Sequence, residues 1–145
     1  MDIQDGLTFT ATAAAMLLAH PVGDYMVQTP HQATHKGLRG PDSWCGWWNA
    51  AKHAATYSLT LFLAVWGVLS ALGWDGSVGT LALVIAANGV THMIIDRRWT
   101  LEWFARTILR KGPWIDNDPG ALPHLDQTAH LALFVPAALA ICALA

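Results

Sequence analysis

Leu17-Leu18-Ala19-His20-Pro21-Val22-Gly23-Asp24-Tyr25-Met26-Val27-Gln28 closes the first apolar run of the chain. As a helix, residues 7–28 are long enough to cross a hydrocarbon core of ~30 Å. Yet the last third of the run carries His20, Asp24 and Gln28. These three recur every fourth residue and therefore share one helix face. A helix with one polar stripe and an otherwise apolar surface fits a bundle in which the stripe turns inward and the rest meets lipid. The stretch thus points to an environment and a site together.

Three further apolar runs extend this reading, at about 47–72, 78–96 and 122–145. The expected fold is all-α, a polytopic membrane bundle of four transmembrane helices forming a single domain over residues 1–145. Composition agrees. The chain is 54% hydrophobic and 12% charged, against roughly 25% charged in soluble domains, and its mean hydropathy is +0.35. Eight Trp residues suit membrane–water interfaces, and Trp44, Trp47, Trp48, Trp99, Trp103 and Trp114 read as such a belt. The net charge of -2 and the lack of a long basic run exclude a nucleic-acid partner. Cys45 and Cys142 match no paired-thiol or zinc spacing. The acidic opening Met1-Asp2-Ile3-Gln4-Asp5 lacks the positive n-region of a secretory signal, so the first span is expected to be retained.

The connections carry the topology. Gly73-Trp74-Asp75-Gly76 reads as a tight turn, and residues 29–46 as a polar connection rich in Gly and Pro. Residues 99–111 mix Trp99, Leu101, Trp103, Phe104 and Ile108 with Glu102, Arg106, Arg110 and Lys111, the pattern of an interfacial amphipathic helix. Gly112-Pro113 is expected to end it, with 116–120 a loop. Lys36 and Arg39 fall in the first connection, and Arg97, Arg98, Arg106, Arg110 and Lys111 in the third; the second connection and the termini have no Lys or Arg. By the positive-inside rule the two basic connections are cytoplasmic, and both termini lie outside an inner (cell) membrane.

That topology brings the polar stripes together. Asn88, His92 and Asp96 repeat the four-residue spacing in the third span, and Asp126 and His130 reverse it in the fourth, with Gln127 beside them. The second span supplies Asn49, Lys52, His53, Thr56 and Tyr57. All four stripes fall in the cytoplasmic half. An ionisable group at mid-bilayer costs about 2.5–3.5 kcal/mol, whereas an interhelical hydrogen bond returns about 0.6 kcal/mol, so a purely structural role explains three Asp poorly. His20, Asp24, His53, His92, Asp96, Asp126 and His130 offer imidazole and carboxylate ligands for a divalent transition metal, zinc foremost, with manganese or iron as alternatives. Seven candidates exceed one tetrahedral ion. Either one or two ions share the site, or some Asp residues orient a His from behind. His53 is a further ligand or a general base, and Asp24 is its catalytic companion. Gln28, Asn88 and Gln127 read as supporting hydrogen-bonders, His31, His35 and His124 as surface residues, Lys52 as a snorkelling cation, and Pro21 and Pro136 as kinks.

The segments Leu17 to Thr29, Lys52-His53-Ala54, Thr91-His92-Met93-Ile94-Ile95-Asp96 and Asp126-Gln127-Thr128-Ala129-His130-Leu131 resemble, in order, four motifs of the DUF3307 family of bacterial and phage membrane proteins. The likeness covers nearly the whole chain and implies a compact helical membrane bundle. The His-x-x-x-Asp spacing is more distantly similar to membrane-bound metal-dependent hydrolases and to zinc-dependent phospholipase C and P1-type nucleases.

The expected function is metal-dependent hydrolysis of a phosphoester or amide at the membrane, with a lipid or membrane-associated substrate. A non-enzymatic protein that binds metal or protons, or a structural membrane protein (phage-encoded among them), is the alternative. Nearly all-apolar outer halves argue against a through-pore. Ala11, Ala13, Ala14 and Ala15 permit the close contact of a homo-oligomer without specifying it.

Overall fold

The computed structural model describes residues 3–144, and among these no strand occurs. Four helical segments are long and apolar enough to cross a membrane: Ile3–Val27, Gly40–Ala71, Val78–Asp96 and Ala121–Leu144. The first is helix α1 (Ile3–Pro21) continued by one π-helical turn, Val22–Val27. The connection that follows holds α2 (Pro30–His35) and a short 3₁₀ turn, Gly40–Asp42. Next come α3 (Ser43–Ala71) and α4 (Val78–Asp96). The short α5 (Trp99–Thr107) and α6 (Gly112–Asn117) lead to the last segment, split into α7 (Ala121–Ala132) and α8 (Phe134–Leu144).

Helix α3 packs on α1 and α4, and α8 closes the ring against the same two. The core runs along this axis through Met16, Leu61, Val65, Leu69, Leu81, Ile85, Phe134 and Ile141. The outward faces are apolar as well: Leu18 is 74% exposed, and Leu63, Leu83, Val90 and Leu139 are all exposed. Apolar patches of this extent on a monomer mark a surface built to be covered, which is compatible with lipid.

The prolines act where the sequence places them. Pro21 has no N–H to give to the carbonyl of Leu17, and the π turn begins at the next residue. Such insertions widen a helix locally and recur at functional sites. Gly23 lies inside this turn, where an added Cβ would come 2.8 Å from the Tyr57 ring, so only glycine lets α1 approach α3 here. Pro136 likewise deprives the carbonyl of Ala132 of its helical partner, and the fourth segment breaks at Leu133. At Gly73 the chain takes a φ of 74°, the conformation that the expected tight turn requires.

Residues 29–46 form the polar connection and carry local structure of their own: Thr29 and Gln32 form a reciprocal capping box with Pro30 at the first helical position, and α2 follows. One expectation about the connections is corrected. The basic amphipathic helix is shorter than 99–111. It stops at Thr107, the chain reverses through Arg110 at a φ of 55°, and Gly112-Pro113 opens α6 rather than ending α5. Pro113 has no N–H to leave unsatisfied in a first turn, which is why the pair starts a helix so readily.

Candidate metal centre

The end of α1, the beginning of α3, the end of α4 and α7 meet at one end of the bundle, beneath α2 and α5. Each sends its polar stripe inward. His20, Asp24, His53, His92, Asp96 and His130 are all buried. The second stripe is narrower than expected: Asn49, His53 and Tyr57 turn in, whereas Lys52 and Thr56 are exposed, with Lys52 Nζ 5.8 Å from the centre of the Trp48 ring. A helix face 100° per residue apart separates position 52 from position 53, so only the i, i+4 set shares the inner face.

Four side chains converge most closely. His53 Nε2 lies 3.0 Å from His92 Nε2, 3.0 Å from Asp24 Oδ1 and 3.3 Å from Asp96 Oδ2. His92 Nε2 lies 3.6 Å from Asp24 Oδ1 and 3.2 Å from Asp96 Oδ2. Two ring nitrogens at that separation cannot both aim a proton at each other, and carboxylate oxygens offer only lone pairs. A zinc-like ion with ligand bonds of about 2.0–2.2 Å has tetrahedral ligand–ligand edges of ~3.3 Å. All five observed edges lie close to that value, so the donor set fits a single small divalent cation at its centre.

Two more groups overlap the first, His20–Asp24–His130 and Asp96–Asp126–His130, and each of the three could hold a metal ion. Asp24, Asp96 and His130 are shared between groups. The ring nitrogens of His20 are engaged by protein. Nε2 donates to Gln127 Oε1 at 3.0 Å, leaving Nδ1 to accept from the Tyr57 hydroxyl at 3.1 Å. Gln127 Nε2 in turn donates to Asp24 Oδ2 and Asp126 Oδ2, so Gln127 holds the two carboxylates together as a supporting hydrogen-bonder. The rings of Tyr57, His92 and His130 form a stack, with centroids 3.8 and 4.1 Å apart.

Two cations beside the centre escaped the sequence reading, where they counted only as topology signals. Lys36, 7% exposed, donates from Nζ to Asp96 Oδ1 at 2.7 Å. With its amide oxygen turned toward the donors, Gln28 accepts from the same Nζ at 2.9 Å. Arg97 is fully buried and straps the first connection down: its guanidinium donates to the carbonyls of Lys36 at 2.7 Å and Leu38 at 2.6 Å and lies over the Trp47 ring. Trp47 is therefore part of this strap rather than of an outer aromatic belt, while Trp44, Trp48 and Trp103 are exposed as a belt requires. The capping box at Thr29–Gln32 marks where α2 begins, and no signal in the sequence marks the burial of Lys36.

A cavity of about 500 Å³ opens onto the centre. Asp24, Asp96, Asp126 and Gln127 form its polar floor, Lys36 and Arg98 its cationic side, and Leu101, Leu122 and Pro123 its apolar wall. The remaining expectations lie away from it: His31 and His35 stack on each other on α2, His124 is exposed, and Asn88 lines a separate shallow cleft between α4 and α8.

A helical protein with four candidate membrane spans and a buried His/Asp cluster able to hold a metal is the class these features define. Residues 13–145 match the DUF3307 family, described as a protein of unknown function, and the chain belongs to that family. No curated protein and no solved structure matches it.

Proposed function

We propose that the protein is a membrane-embedded metal-dependent hydrolase acting on a phosphoester or amide at the membrane, with a lipid headgroup as the natural source. The observation that carries this reading is the cavity: it reaches Asp24 and Asp96 of the four-residue cluster from outside and pairs them with Lys36 and Arg98. Asp24, His53, His92 and Asp96 would hold a divalent cation, zinc foremost. Such an ion supplies Lewis acidity toward a carbonyl or phosphoryl oxygen and lowers the pKa of a bound water. The chain's own residues do the rest. Lys36 and Arg98 attract and orient an anionic group, the former as a point charge fixed by Asp96. Gln127 keeps Asp24 and Asp126 in register. Leu101, Leu122 and Pro123 exclude water and give an acyl or prenyl chain an apolar path. His53 lies closest to the three other members of the cluster, which supports a ligand role over that of general base. The basic connections put this end at the cytoplasmic face, with both termini outside.

One observation favours a second reading. The four-residue cluster by itself fills a tetrahedral shell, and closed shells are typical of structural zinc, so a stapling ion in a non-enzymatic membrane protein is the alternative.

Elemental analysis of the detergent-purified chain, beside the double variant His53→Ala and His92→Ala, is the test. The wild type should carry transition metal that the variant lacks while remaining helical, and only the wild type should hydrolyse phosphoesters in mixed micelles, with chelator abolishing the activity. A chain that takes up no zinc, manganese or iron sinks the proposal; metal uptake with no hydrolysis across phosphoester and amide substrates leaves the stapling reading.

A further inference from the structure

Resting on that metal reading, we infer that a second divalent cation binds beside the first, held by Asp96, Asp126 and His130, and that this ion is the one open to substrate.

His130 motivates the inference. It is buried to 1% exposure, and neither of its ring nitrogens has a hydrogen-bond partner. A buried imidazole left wholly unpaired carries an uncompensated desolvation penalty, and buried polar groups of this kind call for an explanation. A ligand supplies one. One of its ring nitrogens comes within 4.8 Å of carboxylate oxygens of both Asp96 and Asp126, and Nδ1 stands 3.6 Å from Asp126 Oδ2, again near the ligand–ligand edge of a small divalent ion, ~3.3 Å. His20 has no such freedom, because Tyr57 and Gln127 use both of its nitrogens.

The place relative to the first ion follows from the shared residue and the stack. Asp96 belongs to both groups, and a carboxylate can bridge two ions. The His92 and His130 rings stack 4.1 Å apart, so the two groups are immediate neighbours. The two sites differ in closure. The first has four protein ligands. The second has three; both sites reach the cavity, the first through Asp24 and Asp96 and the second through Asp96 and Asp126, so the ligand count is what sets them apart. Three protein ligands with an open position is the pattern of catalytic rather than structural zinc. Lys36 stands on the same side through its contact with Asp96, where it faces the negative charge of an incoming phosphate.

The experiment uses the full-length chain in detergent, reconstituted with Mn²⁺. Metal content and the low-temperature electron paramagnetic resonance spectrum are compared among wild type, His130→Gln and Asp126→Asn. The wild type should bind two ions per chain with an exchange-coupled spectrum, and each variant one ion with the spectrum of isolated Mn²⁺. One ion per chain in the wild type overturns the second site and leaves the first standing. Two ions without exchange coupling also overturn it, since they would not share Asp96. Loss of both ions in the variants overturns the division into two sites. No ion in any of the three removes the metal reading itself. The wild-type count and coupling decide the matter even where a variant fails to fold.

Discussion

The two ends of the bundle are held together by opposite means. At the end away from the site, Leu61, Val65, Leu69, Leu81, Ile85 and Ile141 interdigitate with no polar atom among their side chains. At the other, four imidazoles, the carboxylates of Asp24 and Asp96, Lys36 and Arg97 are buried together. The first end is a stability device: dispersion and close packing, many small terms with no partner indispensable. The second depends on every charge finding its complement, because removing one partner from a buried set leaves another uncompensated.

Three changes sharpen that contrast. Leu61→Ala opens a cavity in the apolar end and should cost about 2–4 kcal/mol, read as a lower unfolding temperature in detergent, with the number of metal ions bound unchanged. Equal losses of stability and metal would mean the two ends are one cooperative unit and would break the comparison. Gly46→Ala works from the other side. A Cβ there meets the Arg97 guanidinium and comes 2.7 Å from the Leu38 carbonyl oxygen, so the strap must shift at a cost of about 1–3 kcal/mol. Metal affinity, measured by chelator competition, should fall although every ligand is intact. An unchanged affinity would show that the strap does not set the position of Lys36 and Asp96.

The smallest effect lies outside both ends. The Arg106 guanidinium, donating to Asp116 and to Glu102, holds both carboxyls below their usual range. A depressed carboxyl contributes stability that is complete above its unfolded value and is lost as pH falls through the folded one. Acidification past the ordinary Asp value of 3.8 should therefore loosen α6 from α5, shifting the amide resonances of α6 while those of the apolar stretch 61–69 of α3 stay in place. These groups are exposed, so the effect is modest.

The legible part of the molecule was the periodic part. Four-residue spacing in His20–Asp24, His92–Asp96 and Asp126–His130 is a property of helices alone, and the apolar runs around them set the spans, so convergence could be read from the chain. Lys36 and Arg97 could not, because their burial depends on how a connection folds back over the bundle. Single residues in polar segments carry no periodicity to betray that. The end of α5 was missed for a related reason: Arg110 occupies a left-handed position that usually calls for glycine, leaving Gly112-Pro113 as the more visible but misplaced signal. The inward turn of His53 without Lys52 was a matter of one residue's rotation, which tertiary packing decided.

Asp96 and Arg97 are neighbours in the chain, one completing the ligand cluster and the other tying down the loop above it. During synthesis from the N-terminus, the first two spans bring only Asp24 and His53 of that cluster, with α2 resting on α3 but not yet tied by Arg97. The fourth ligand and the strap then arrive together, in consecutive residues. Neither half of this end is complete until the third span is in place.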